Sequence, residues 1–153
     1  MSGQDQQIHQ LAQTGRTAAL VSLLAWDHKW ATAKGKFDRT PLHYAAAVGS
    51  ADCIKALLYR SQYLHVTLER PQSVPAEKAL LLQQRSTFID PPDSLYAWTP
   101  LFYAVQSDAI GCVKLLLESG ADPNHTSTGG ETPLQHSKSA AIRVLLVEYG
   151  AKS

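Results

Sequence analysis

Short apolar blocks separated by polar breaks run along this chain, and their spacing predicts pairs of short helices. Ile54, Leu57 and Leu58 fall at i, i+3 and i+4, a single apolar stripe on one helix. The block Cys53-Ile54-Lys55-Ala56-Leu57-Leu58 has a counterpart in Cys112-Val113-Lys114-Leu115-Leu116-Leu117. Each follows a second apolar block that opens on Thr-Pro: Thr40-Pro41-Leu42-His43-Tyr44-Ala45-Ala46, then Thr99-Pro100-Leu101-Phe102-Tyr103-Ala104-Val105. A third opening is Thr132-Pro133-Leu134-Gln135-His136. Thr caps a helix well, and Pro directly after it occupies the first turn, where its missing N–H costs nothing. Gly49 supplies a left-handed stop, and Asp108, which tolerates that conformation, replaces it in the later copy.

The copies keep a period. Thr99 and Thr132 are 33 residues apart, and Thr40 and Thr99 are 59 apart, one period plus an insertion of 26. A fixed period of this size means helix pairs that stack to share one core. Upstream, Ile8-His9-Gln10-Leu11-Ala12 and Ala19-Leu20-Val21-Ser22-Leu23-Leu24 read as a further pair without the Thr-Pro entry, and Gly15 lies 34 residues before Gly49. In the last unit Leu134 to Val147 spans 13 residues, where Leu101 to Leu117 spans 16. A first helix shortened around Ser137-Lys138-Ser139 follows, and the two end units are read as caps.

These motifs, with Gly120-Ala121-Asp122-Pro123-Asn124 after the second block, resemble the ankyrin-repeat family in several independent positions. The resemblance implies an all-α solenoid of stacked helix-turn-helix units with β-hairpin fingers. It implies one domain over residues 1–153, with repeats at about 5–30, 35–60, 94–124 and 127–153 and an insertion at about 61–93. Within the insertion Tyr63-Leu64-His65-Val66-Thr67-Leu68 alternates as a strand would, and Pro75 to Arg85 holds good helix formers. Asp90-Pro91-Pro92-Asp93 then breaks the chain. The preferred reading packs this insertion, with Leu80 to Leu82, on the stack; the other makes it a second binding element.

Composition narrows function mainly by exclusion. The formal net charge of +1 provides no field that would gather nucleic acid or an anionic membrane. No apolar run approaches a membrane span, and Met1 to Gln7 lead into no signal-peptide core. An intracellular location, cytoplasmic or nuclear, is expected, with a monomeric chain. The six histidines are scattered without metal spacing, so no cofactor, metal or enzyme activity is expected. His43 is read as a hydrogen-bonding link between adjacent hairpins. Cys53 and Cys112 hold the same slot of consecutive repeats and are read as reduced core residues. Gly129-Gly130 is read as a finger turn.

The family resemblance implies recognition of a partner protein through the fingers and the adjoining concave helix face. The exposed slots fall on Lys36, Phe37 and Arg39, on Leu95, Tyr96 and Trp98, and on Thr128 and Glu131. The helix slots are Ala47 and Val48, then Gln106 and Ser107. Large aromatics at finger tips are not needed for the core, whereas interface anchors favour Trp, Tyr and Arg. Lys29, Lys34, Lys36 and Arg39 make the first finger basic, interrupted by Asp27 and Asp38. Trp26 and Trp30 are expected to cover the core of the first repeats. The function expected is a small adaptor or an inhibitory, chaperone-like binding protein. A scaffold subunit is the alternative, and an enzyme with its site in the insertion is the least favoured.

Overall fold

Most helices among the described residues have 11 residues or fewer, too short to be stable alone, so the architecture has to come from stacking. The computed structural model describes residues 3–66 and 88–153. Among the described residues there are eight α-helices and no strand. They form four pairs: α1 (Gly3–Gln13) with α2 (Thr17–Trp26), and α3 (Pro41–Ala47) with α4 (Ala51–Val66). The other two are α5 (Pro100–Gln106) with α6 (Ile110–Glu118), and α7 (Pro133–His136) with α8 (Ala140–Glu148). First helices touch first helices, α1 to α3 to α5 to α7, and second helices touch second helices, α2 to α4 to α6 to α8. The result is two layers around a continuous core.

The core is the predicted apolar register. Leu42, Ala45, Ala46, Leu101 and Ala104 are buried in the first layer, and Ile54, Leu57, Cys112, Val113, Leu116, Ile142 and Leu146 in the second. The alanines allow close approach of successive first helices. Gly15, Gly49 and Asp108 have φ values of 67°, 70° and 56°, so one left-handed residue turns each of the first three pairs. At Gly49 a Cβ would stand 3.1 Å from Ala109 Cβ, so the next repeat also limits size there. Cys53 and Cys112 are free and buried. Burial, reinforced by neighbouring Cys53, pushes the Cys112 thiol up to about 11.

The last pair differs as its shortened sequence predicts. Helix α7 has only 4 residues. The Ala151 N–H bonds the Leu146 carbonyl as the Ala121 N–H bonds Leu116, which fixes the correspondence of α8 with α6. By that register Arg143 stands where α6 buries Val113. Its Nε and Nη2 donate to the Ser137 carbonyl at 3.0 and 2.9 Å, giving this face a polar side chain.

Three expectations need correction or completion. Residues Tyr63 to Val66 are helical, because α4 runs on to Val66 instead of ending near residue 60. This helix lacks the Gly-Ala stop that ends α6, and weak alternation without breakers does not outcompete continuation of a formed helix. Trp26 does not cover the core: it is 89% exposed at the end of α2, while Trp30 does pack against the core. The fingers are hydrogen-bonded loops, since each closes on too few backbone pairs to make a ladder. Residues 67–87, with the predicted helix from Pro75 to Arg85 and Leu80 to Leu82, lie outside the described residues.

Leu57→Ala and Leu116→Ala are each expected to destabilise the protein by about 2–5 kcal/mol, since both leave cavities in a core shared between repeats. Urea unfolding measures this. Unchanged midpoints in both variants would contradict the register.

Candidate protein-binding surface

Three fingers precede the Thr-Pro entries, and their geometry follows from where the backbone must turn. Gly35 N–H bonds the Arg39 carbonyl at 2.8 Å, Asp93 N–H the Trp98 carbonyl at 3.0 Å, and Ser127 N–H the Glu131 carbonyl at 2.9 Å. The middle finger is thus one residue longer. In all three the residue two before Thr is left-handed: Asp38 (φ 57°), Ala97 (φ 55°) and Gly130 (φ 78°). Phe37 is left-handed as well, with φ 60° and ψ 33°. A bulky residue there carries strain of about 1–3 kcal/mol, which the surrounding contacts must hold in place. Ser94 N–H donates to the Phe37 carbonyl, and Thr128 N–H to the Tyr96 carbonyl, both at 2.9 Å. The fingers therefore stand side by side in fixed order.

Two side chains lock this row to the helices. His43, buried on α3, accepts the Thr40 N–H at Nδ1 (3.0 Å) and lies 3.1 Å through Nε2 from the Trp98 carbonyl. A neutral ring protonated on Nε2 satisfies both partners. Burial pushes its pKa down to about 4, against the opposing pull of the Trp98 carbonyl and the Asp93 carboxylate. In α5, Phe102 takes the corresponding place and cannot accept, and the Thr99 hydroxyl is buried with no partner among the described residues. His125 makes the comparable link one repeat on, its Nε2 lying 3.0 Å from the Ala97 carbonyl.

The second lock is Asp93. Its buried carboxylate receives the Tyr96 N–H (2.9 Å), the Trp98 N–H (3.2 Å), the Tyr103 hydroxyl (2.5 Å) and Arg39 Nε (3.3 Å). Burial alone would raise its pKa, but these donors, with Tyr103 foremost, hold the carboxyl below the usual carboxylate range. The same arrangement raises the Tyr103 phenol, through burial first and then its bond to Asp93. Arg39 is thus part of the frame as well as of the surface. Its guanidinium lies 5.2 Å from the Tyr103 ring centre and 5.3 Å from that of Phe37, and the Lys36 ammonium is 5.0 Å from Phe37.

The exposed slots read from the sequence fall on this surface to different degrees. Phe37, Leu95 and Tyr96 are 37%, 40% and 47% exposed, and Val48 on α3 is 47% exposed. Lys36, Gln106 and Glu131 are exposed, and Arg39 is half-buried. Trp98 is also half-buried: it stacks on Phe102 (5.7 Å, 13°) and meets Tyr103, His136 and Tyr96 at 5.2–5.4 Å. Glu131 Oε2 lies 2.8 Å from His136 Nε2 at the far end of the row. Sequence reasoning did not select Asp93 or Tyr103. The signal for Asp93 was an acid at the start of a finger that also carries Tyr and Trp. Nothing in spacing pointed to Tyr103, whose partner Asp93 lies ten residues earlier, at the start of the finger.

Among the described residues no three His, Cys, Asp or Glu side chains come together in a way that could hold a metal ion. No helix among them is long and apolar enough to cross a membrane. A family model for ankyrin repeats, in three copies, matches residues 64–152, and a single-repeat model matches residues 37–67. The chain belongs to the ankyrin-repeat family. It is similar to ankyrin repeat protein nuc-2 of Neurospora crassa, 36% identical over 95 residues that cover 57% of this chain and 9% of that protein. It is also similar to Rabankyrin-5 of Mus musculus, 28% identical over 120 residues, 78% of this chain and 10% of that protein. The chain spans about a tenth of the length of these curated relatives. Ankyrin repeats generally mediate protein–protein interaction, and the family is typically non-enzymatic.

The two buried titrations oppose each other, so wild type alone does not isolate His43. Its lowered pKa contributes stability above the unfolded value of 6.5, lost as pH falls toward about 4. Burial raises Asp90 to about 6, and its contribution is present below 3.8 and lost as pH rises through 6. His43→Gln should remove the first contribution and leave the second. The stability gap between wild type and His43→Gln is expected to narrow by about 2–4 kcal/mol between pH 7.5 and about pH 4. Urea unfolding of both proteins across that range measures it, and a constant gap would contradict the neutral buried bridge.

Proposed function

We propose that this ankyrin array is a protein-recognition module that engages its partner along the row of fingers and the adjoining concave helix face. Lys36, Phe37, Arg39, Val48, Leu95, Tyr96, Trp98, Gln106 and Glu131 make up the contact surface in this reading. The supporting observation is the row of partly exposed apolar side chains at Phe37, Leu95 and Tyr96, mounted on fingers that the Asp93 and His43 hydrogen bonds hold in order. Apolar residues in such positions desolvate readily on binding, while their backbone has already been fixed, which lowers the entropic cost of association.

Residues 1–153 act in this reading as one ankyrin domain and as a monomer, in the cytoplasm or nucleus, without cofactor, metal or catalytic group. The module works as an adaptor or as an inhibitory, chaperone-like subunit, masking or competing for one protein surface. A scaffold segment within a larger assembly is the second reading, favoured by the much greater length of nuc-2 and Rabankyrin-5.

Trp98 is a mixed anchor, because its ring is shared between the surface and the α5–α7 packing. Phe37→Ala and Tyr96→Ala are therefore the cleaner tests. Each should weaken binding of a partner isolated by affinity purification by about 2 kcal/mol, the hot-spot range, with a smaller change in stability. Trp98→Ala should lower both. Calorimetric affinity beside urea midpoints separates the two effects. Full affinity in folded Phe37→Ala and Tyr96→Ala proteins would exclude the finger surface.

A further inference from the structure

We propose that the first finger is an acceptor for a carboxylate side chain of the partner, seated at Lys36 and Arg39 beside an apolar residue that packs on Phe37 and Tyr96. This rests on the reading of the fingers as the recognition surface and names the partner's chemistry at one point of it.

The charge balance of the finger carries the inference. Residues 34–39 hold three cations, Lys34, Lys36 and Arg39, against one acid, Asp38. Asp93 is a second counter-charge, but it is buried and already receives four donors, so it orients Arg39 more than it quenches the surface. The contact the structure gives between them uses only Nε–H of the guanidinium. A guanidinium has five N–H donors in a planar fork suited to a carboxylate. The side chain remains 22% exposed and is braced between the Phe37 and Tyr103 rings, so its position is set before a ligand arrives. Lys36, also against Phe37, brings a second cation to the same ring.

That ring explains why the acceptor should include an apolar neighbour. Phe37 is held in a left-handed conformation at the finger tip, with its carbonyl tied to Ser94 in the middle finger. Leu95 and Tyr96 extend the apolar row from there. A partner segment lying across the two fingers therefore meets cations first and apolar side chains next. An acidic residue within a few positions of a large aliphatic or aromatic one matches that order.

A phage library of random linear peptides, selected against the full chain, provides the test. The selection is expected to enrich sequences with Asp or Glu close to a Leu, Ile, Phe or Trp. An enriched peptide resynthesised with Gln or Asn in place of its acid should bind about tenfold more weakly. Lys36→Gln, at an exposed site that leaves the fold alone, should weaken the acidic peptide about three- to tenfold, and Arg39→Lys by at least as much. The amide peptide should be nearly indifferent to Lys36→Gln. Enriched peptides without an acid that still require Phe37 and Tyr96 would overturn the carboxylate acceptor and leave the finger surface standing. Peptides indifferent to every finger substitution, or no enrichment at all, would overturn both.

Discussion

A pair of short helices cannot bury its own apolar faces, and the layered core of the described residues follows from that constraint. Leu42 and Ala45 need the neighbouring first helices, and Leu57 and Leu116 need neighbouring second helices, before they lose contact with water. Stability is then a property of interfaces between repeats as much as of repeats. Small residues set the spacing of the first layer, branched and unbranched aliphatics fill the second, and a left-handed residue turns each of the first three pairs. In the fourth pair one side chain changes character: Arg143 occupies the slot that Val113 fills one repeat earlier.

The fingers meet a different problem, because they project beyond this core and have few backbone bonds of their own. Side chains supply what a strand ladder would have supplied. Asp93 collects donors from two fingers and one helix, and His43 connects the start of α3 to the next finger. Both groups are buried, so each bond is worth more than on the surface and costly to leave half-made. The third repeat shows the alternative: Phe102 gives up the polar bridge, stacks on Trp98 and meets His136 edge-on, and the Thr99 hydroxyl is buried with no partner among the described residues. The same ring cluster makes Trp98 both a structural and a surface residue.

Much of this was legible in the sequence, because ankyrin repeats write their constraints at fixed spacing. The Thr-Pro openings, the alanine pair, the Gly49 stop and the aliphatic stripe each have a local physical reason, and each appears in the structure. The shortening of the last unit was legible by counting between Leu134 and Val147. Features that depend on distant residues were not. Asp93 acquires its role from Arg39 and Tyr103, which lie 54 and 10 positions away. Trp26 was expected to cover the core of the first repeats, yet at the end of α2 it is left exposed among the described residues. Tyr63 to Val66 alternated like a strand, and only the uninterrupted helix before them decided otherwise.

Amide hydrogen exchange at the fingers tests most directly whether buried side chains, and not strands, hold the candidate surface in order. In the native protein the N–H groups of Ser94, Tyr96, Trp98 and Thr128 should exchange far more slowly than unprotected amides, although they sit in loops. In Asp93→Ala, Ser94, Tyr96 and Trp98 should lose that protection together, while Leu57 and Leu116 in the helices keep theirs. Wild-type finger amides exchanging at unprotected rates, or fingers still protected in Asp93→Ala, would contradict the account.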